Sequence, residues 1–370
     1  MLKSALKVLK EIENNGFEAY IVGGYPRDYY LEKESLDIDI CTSATPKDLI
    51  SIFPNANLSN EKYGGVSLYF NNIRFEITTY RKEFKYINNR LPSEIKYIDS
   101  LEEDLKRRDF TINTMCINSS GTIIDLMGAK DDIKAKVIKM VGDPKKSLKE
   151  DALRILRAVR FATILNFKID SNLKKYIKKY AYLLQNLSFY RKKSELDKIF
   201  SSYNSEYGIN LIKELKLYKY LGLKNFKKLK SINSLIGIWA QLEVDEKYPF
   251  TKNEKEMLRK IKSLLSKNIL NYSCLYNNDL YIISIVGEIR EISKDKILEM
   301  YNSLTIKERK DINITSKEIC RTLKIEPSCL LKSIWNDLEI EILNGNVLNS
   351  KEDIIKYLKN LDIQNKENKV

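Results

Sequence analysis

Apolar residues at Leu2, Leu6, Leu9 and Ile12 recur at helical spacing, so the chain opens with an amphipathic helix. Next, EAYIVGG (Glu18–Gly24) reads as a buried strand running into a glycine turn, and Pro26 suits the first turn of a short helix behind it. LDIDICT (Leu36–Thr42) alternates with period two, the mark of a strand with one buried face. Thr45-Pro46 supplies an N-cap and a first helical residue for a helix through Ile52. VSLYF and IRFEITTY flank Asn71-Asn72, a two-residue hairpin turn, and a second hairpin is expected around Ser119–Gly121. Residues 1–140 therefore predict a mixed α/β region around a small sheet.

From Ser147 the pattern changes. LKEDALRILRAVRFATIL (Leu148–Leu165) carries apolar residues at helical spacing, and nearly everything after it reads helical, with few glycines and almost no proline. Breaks are expected near Gly142-Asp143-Pro144, Ser201–Gly208 and Tyr301–Thr305, and the polar last ten residues are expected to fray. The expected fold class is α+β: a mixed β-sheet head with helices, then an all-α C-terminal region. The segments are 1–140, 141–200, 201–300 and 301–370.

Composition narrows the chemistry. With 64 Lys and Arg against 50 Asp and Glu, the net charge is +14, which points to a polyanionic partner, most commonly nucleic acid. A bias toward AT-rich codons, which also enriches Asn, Ile and Tyr, produces the same excess. The absence of histidine is more decisive. It excludes Ser-His-Asp and Cys-His catalysis, His-ligated zinc and any histidine base. Chemistry here must run on carboxylates, Arg, Lys and metal ions. The five cysteines are scattered with no C-x-x-C pair, as in reduced cytoplasmic proteins. No apolar run approaches the ~18 residues of a membrane span, so a cytoplasmic protein with no membrane partner is expected.

Asp37 and Asp39 stand one residue apart on the expected strand, so both carboxylates project from one face while Ile38 and Ile40 face the core. Two carboxylates so close raise each other's pKa unless a cation lies between them. Hard oxygen ligands at this spacing suit Mg²⁺, which typically adds substrate phosphates to one or two carboxylates. Upstream, Gly23-Gly24 lets backbone N–H groups approach an anion, and Arg27 adds a charge-assisted contact. Alone, D-x-D equally describes a solvated strand edge and Gly-Gly an ordinary junction. Together, the glycine turn, the arginine and the paired aspartates point to a nucleoside triphosphate with magnesium.

These residues carry a resemblance. VGGYPRDYYLEKESLDIDICTSA resembles motif A of class II tRNA nucleotidyltransferases, the family of bacterial CCA-adding enzymes, and of the related bacterial poly(A) polymerases. EEDLKRRDFTINTM (Glu102–Met115) resembles motif B, DLMGAKDDI (Asp125–Ile133) motif C, EDALRILRAVRFA (Glu150–Ala162) motif D, and LSFYRKKSEL (Leu187–Leu196) a degraded motif E. The segment from DINITSKEI onward resembles the family's tail, so the likeness spans essentially the whole chain.

The resemblance implies transfer of CMP and AMP from CTP and ATP to a tRNA 3′-OH, with Mg²⁺ as cofactor and release of pyrophosphate. It assigns catalysis and metal binding to Asp37 and Asp39. Glu76 is a candidate third carboxylate, because Arg74, Glu76 and Thr78 share a face of the neighbouring strand; a surface-facing glutamate is the alternative. Nucleotide binding falls to Gly24, Arg27, Arg108, Asp109, Asp151, Arg154, Arg157 and Arg160. The four segments become a catalytic head, a base-selecting neck, and a body and tail that hold the tRNA 3′ acceptor end and elbow. KELKLYKYLGLKNFKKLK (Lys213–Lys230), dense in Lys with interleaved Tyr and Phe, suits RNA phosphate contact.

Asp151 and Arg154 are i, i+3 neighbours on the expected helix. Cytosine and adenine both offer an exocyclic amine beside an unprotonated ring nitrogen, which a carboxylate and a guanidinium can read together; uracil and guanine oppose both groups. A surface ion pair is the plain alternative. On one continuous helix the three-residue stripe drifts about 60° per step, so Arg160 falls nearly opposite Asp151 and is carried as a phosphate-binding or supporting position. Trp239 and Trp335, amid apolar neighbours, are expected in the core. Departures are Ala129 in motif C, Tyr190 in motif E, and Glu83 and Asn88 in the loop Thr79–Pro92 that is associated with the switch from CTP to ATP. They leave open a poly(A) polymerase, a CC-only or A-only enzyme, and a non-catalytic RNA-binding protein.

Overall fold

Leu2–Asn14 forms helix α1, and its buried face is Ala5, Val8, Leu9 and Ile12. The structure, a computed structural model, describes residues 1–361 except 36, 88, 90, 327 and 328. Asn88 and most of the tail expected to fray thus lie outside the described residues. After α1 come β1 (Ala19–Val22), α2 (Gly24–Tyr30), β2 (Ile38–Thr42), α3 (Pro46–Ile52), β3 (Asn57–Asn60), β4 (Gly65–Phe70), β5 (Ile73–Thr79), β6 (Arg81–Ile87), β7 (Leu91–Tyr97), α4 (Leu101–Lys106), β8 (Cys116–Ile117), β9 (Ile123–Ile124) and α5 (Ala129–Lys134).

One sheet of order β3-β4-β5-β2-β1-β8-β9 forms the head, with β2 parallel to β5 and the other pairs antiparallel. Ile38 and Ile40 of β2 enter a core shared with α1, Leu49 of α3, and Phe75 and Ile77 of β5. Each such side chain contributes about 1.5–3 kcal/mol on burial. A one-residue slip of β2 would bury Asp39 and expose both isoleucines, so the core fixes which face carries the aspartates. The Asn71-Asn72 turn has φ of 50° and 58°, the two positive values a type I′ hairpin demands. Thr45 caps α3 with Asp48 in a reciprocal capping box.

Three segments differ from the sequence reading. Thr79–Pro92, expected as a loop, is largely strand: β6 and β7 pair antiparallel outside the main sheet. Its alternation is charged rather than apolar, so periodicity did not reveal it. Second, Leu148–Leu165 is two helices, α6 (Pro144–Glu150) and α7 (Leu153–Leu165), separated at Asp151-Ala152. The Asp151 carboxylate accepts the Leu153 N–H at 2.9 Å, and the Ala152 N–H goes to the Asn89 carbonyl of the β6–β7 hairpin at 2.8 Å. Bonds that would continue one helix are thereby diverted. Third, Lys213–Lys230, within the stretch that reads helical, forms short helical turns and a two-residue strand, because Leu215, Leu217, Leu221, Leu223, Phe226 and Leu229 are all buried and follow no single stripe.

Beyond α5 the chain is mostly helical. Among the described residues its β structure is limited to two-residue ladders, Val137–Ile138 with Lys168–Ile169 and Leu223–Lys224 with Glu243–Val244, and a single bridge from Met140 to Phe110. The chain packs as two compact units, Met1–Ser231 with Leu242–Pro249, and Ile232–Gln241 with Phe250–Val370. In the second unit Trp239 is buried and packs edge-on against Phe250 at 5.3 Å, and Trp335 is buried too, as expected of core residues. No helix among the described residues is long and apolar enough to cross a membrane.

Candidate active site

Asp39 lies on the sheet face opposite the core, paired in register with Val22 of β1 and Glu76 of β5. Asp37 precedes the strand by one residue. Asp39 opens into a cleft, yet surrounding protein strips much of its hydration. This desolvation is the largest influence and raises its carboxyl above the ordinary value; Arg108 pulls it down, while Asp37 and Glu76 push it up again. Gly23 turns the chain beneath it with φ of 84°, and a Cβ there would lie 3.3 Å from Asp39 Oδ2. The left-handed φ favours glycine here, and a Cβ would press on the Asp39 carboxylate.

The cleft, of about 570 Å³, is lined by Gly24, Arg27, Asp37, Asp39, Arg108, Asp109, Asp151, Arg154, Arg157 and Arg160. The fold thus gathers ten of the eleven expected site residues. Arg160 shares the cleft with Asp151, whereas a continuous helix put it nearly opposite. The helix break removes Asp151 from α7 and with it the basis of that angle. The eleventh residue, Glu76, sits beside Asp39 in register but lines an adjoining hollow of about 330 Å³ with Tyr63, Glu83, Tyr86 and Arg191. There it pairs with Arg74 and accepts from Ser59 Oγ at 2.9 Å.

Buried acids hold the arginines. Asp104, with no exposed surface, accepts from Arg107 Nε at 2.8 Å and Arg108 Nη2 at 3.1 Å. Desolvation pushes its carboxyl up most strongly, but Arg107 and Arg108 together prevail and hold it below the ordinary value. Asp109 accepts from Arg157 Nε at 2.7 Å through Oδ2, and from the Phe110 N–H and Asn113 Nδ2 through Oδ1. Burial again acts upward and most strongly, yet Arg157, Asn113 and Arg154 bring Asp109 down to about 2. Arg160 meets Glu195 at 3.3 Å. Phe161 lies among three guanidinium groups, those of Arg27, Arg157 and Arg160, at 5.2, 5.3 and 4.4 Å from its centroid.

Arg154 donates to Ser147 Oγ and, at 2.7 Å, to the Arg107 carbonyl; its Nε is 4.0 Å from Asp151 Oδ2. Both residues are buried at the α6–α7 junction. Glu83, known from the sequence only as a departure, also lines the cleft, paired with Arg81 at 2.7 Å and Arg107 at 3.4 Å. Residues the sequence reading missed are Asp104, Asn113, Phe161, Glu195 and Lys198. Asp104 was detectable, since it stands three and four residues before Arg107 and Arg108 on one helix face. Glu195 and Lys198 carry no local signal, because their site lies 35 or more residues back along the chain. Asp125 and Asp132 of motif C act locally: Asp125 accepts the Ala129 and Lys130 N–H groups, and Asp132 accepts from Thr111.

The donor set suits a divalent cation bound with a nucleotide. Asp37 and Asp39 offer two hard oxygen ligands, and no group of three or more His, Cys, Asp or Glu gathers to hold an ion alone among the described residues.

Comparisons with known proteins agree along the chain. A family model for the poly A polymerase head domain matches residues 19–139, one for the RNA and SrmB-binding site of polymerase A matches 166–226, and one for tRNA nucleotidyltransferase domain 2 matches 250–358. The CCA-adding enzyme of Ligilactobacillus salivarius (strain UCC118) is 34% identical, over 97% of this chain and 96% of that protein. That of Staphylococcus haemolyticus (strain JCSC1435) is 32% identical, over 97% and 98%. The crystal structure of the Bacillus stearothermophilus CCA-adding enzyme in complex with CTP superposes with a TM-score of 0.77 at 26% identity, covering 99% of both chains. Given this identity over nearly its full length, the chain belongs to the CCA-adding enzyme family of tRNA nucleotidyltransferases.

Proposed function

We propose that this enzyme adds CCA to the 3′ end of tRNA from CTP and ATP, without a nucleic-acid template. The observation that carries the reading is the single cleft that joins Asp37 and Asp39 to Arg27, Arg108, Arg157 and Arg160 and to the Asp151–Arg154 pair. In each cycle the tRNA 3′ hydroxyl gives up its proton to solvent as its oxygen bonds to the α-phosphorus, the bond to the bridging oxygen breaks, and pyrophosphate leaves with the displaced electron pair.

The family uses a divalent metal, and Asp37 and Asp39 are the residues that would hold Mg²⁺ here. Bound there, the ion supplies activation of the attacking hydroxyl and charge stabilisation of the leaving oxygen. Arg27, Arg108, Arg157 and Arg160 neutralise the triphosphate and orient it. Asp151 accepts from the exocyclic amine of cytosine or adenine and Arg154 donates to the adjacent ring nitrogen. The bonds from Arg154 to Ser147 and the Arg107 carbonyl support this, since they steady the fork while leaving it further N–H donors. Glu76, tied to Arg74, adds negative potential beside Asp39. Residues 1–140 act as catalytic head, 141–200 as base-selecting neck, and 201–300 and 301–370 hold the tRNA acceptor end and elbow in the cytoplasm.

The test offers purified protein and Mg²⁺ transcripts of tRNA ending at the discriminator base, at C, or at CC, each with CTP, ATP or both. Addition of two C and one A, then termination, is the expected result. A long A tail on any RNA would instead make the protein a poly(A) polymerase, and stopping at CC would make it a partial enzyme. Asp151→Ala is expected to admit UTP and GTP; unchanged rejection of both would remove the base-edge reading.

A further inference from the structure

Cys41 and Cys116 share a small core in the head, and neither lines the cleft. Neither side chain has any exposed surface. Val22, Tyr80, Leu101 and Leu105 complete this core, and Met127 packs against it. The two thiols are near enough to act directly on one another. Cys116 Sγ also donates weakly to the Thr114 carbonyl at 3.6 Å.

The strand order sets how near they come. β1 lies between β2 and β8. Cys41 pairs with Tyr20 and Ile117 pairs with Ile21, so Cys116 stands on the far side of β1 from Cys41. Two strand spacings hold the two backbones about 10 Å apart. A disulfide needs Cα atoms within about 7 Å, so the sheet would have to give way before one formed. A metal ion spans more, because it adds two bonds of about 2.3 Å between the sulfurs. The fold therefore keeps the thiols from bonding to each other while leaving both within reach of one ion.

The donors select the ion. Mg²⁺ and Ca²⁺ take hard oxygens, and structural Zn²⁺ asks for four ligands. Two thiols with a thioether beside them suit a soft cation such as Cu(I). Two thiolates around a monovalent cation leave one negative charge, and Arg108, on which both sulfurs act, offsets it. Tyr80 is an independent sign of an occupant. It has no exposed surface, both thiols act on it, and among the described residues its hydroxyl has no hydrogen-bond partner. A buried hydroxyl left so is rare in a native core.

We propose that Cys41 and Cys116, with Met127 alongside, form a buried binding site for one soft monovalent cation of the Cu(I) kind. On binding, both S–H bonds break, two sulfur–metal bonds form, and two protons leave to solvent.

The experiment uses the full chain with Cys274, Cys320 and Cys329 each replaced by serine, which removes the other thiols. Cu(I) is supplied anaerobically, the protein is desalted, and retained metal is counted by native mass spectrometry alongside the near-ultraviolet thiolate-to-metal absorption. A single ion per chain is expected, with a rise in Tm on loading. Cys41→Val and Cys116→Val keep the core filled and are each expected to lower retention at least about tenfold. Zn²⁺ and Mg²⁺ at the same concentration are expected to wash out. Undiminished retention in either valine variant, equal retention of Zn²⁺, or no Cu(I) held by the folded parent would overturn the proposal. Where a valine variant does not fold, alanine at the same position gives the same comparison. The readout is independent of nucleotide incorporation, so it stands apart from the reading of the cleft.

Discussion

Among the described residues, the first unit buries the charged side chains of Arg27, Asp104, Asp109, Asp151, Arg154, Arg160, Lys192 and Glu195, whereas the second buries only that of Glu339. Both units have ample apolar cores, and among the described residues the second is built on Leu, Ile and Trp with Glu339 as its single buried charge. Taking a charge out of water costs several kcal/mol unless a partner offsets it. In the first unit the partners are close: Asp104 with Arg107 and Arg108, Asp109 with Arg157, Arg160 with Glu195. The contrast supports the proposed site, because arginines braced from beneath would present charge to a ligand without first being organised.

The comparison can be broken at its strongest point. Asp37→Ala or Asp39→Ala is expected to lower incorporation of both nucleotides at least about a thousandfold, with tRNA affinity retained. Turnover near that of the wild type would remove these two residues from the centre of the site.

Next in size is the unequal cost of unpairing a buried acid. Arg157→Ala leaves Asp109 buried without its main partner and is expected to cost about 3 kcal/mol in urea unfolding. Lys260→Ala in the second unit removes the exposed partner of an exposed acid, Glu256, at 2.9 Å, and is expected to cost less than about 1 kcal/mol. Equal costs would erase the distinction between the units.

Acid sharpens the same contrast. Asp109 titrates at about 2 in the folded protein, below the ~3.9 of an unfolded aspartate. Its contribution, about 2 to 3 kcal/mol, is full above the unfolded value and is lost as pH falls toward 2. Both tryptophans lie in the second unit. Amide exchange in β2 and α7 is therefore expected to quicken between pH 4 and 2 before tryptophan emission shifts. Simultaneous loss of both signals at higher pH would mean that Asp109 does not set the limit.

The smallest effect belongs to the exposed charges of the second unit. Lys317→Ala is expected to move stability by less than about 0.5 kcal/mol and to lower the salt slope of tRNA binding by no more than about 1. A larger loss would give this lysine a structural role that its exposure does not suggest.

Much of the head was legible from local pattern. The faces of β2, the Asn71-Asn72 turn and the cap of α3 depend on residues at most a few positions apart, and each formed where the sequence placed it. The β6–β7 hairpin was not legible, since its alternating positions are charged and it buries no continuous apolar face of its own. The Asp151-Ala152 break was hidden for a different reason. Its apolar spacing is helical on both sides, and the hydrogen bonds that interrupt it come from Asp151 itself and from Asn89, far back along the chain.

By itself the sequence determined the site's components: which residue types are available without histidine, which strand face bears the aspartates, and which motifs stand in order. Those follow from short-range periodicity and from chemistry that each residue carries anywhere. Only the tertiary structure decided how the components meet. Arg27 reaches Asn113 across 86 positions, Arg157 reaches Asp109 across 48, and Arg160 reaches Glu195 across 35. It also assigned Glu76 to the adjoining hollow and brought Arg160 round to the cleft. Such pairings are set by the packing of helices against the sheet, because burying these charges is tolerable only where the fold supplies a partner for each.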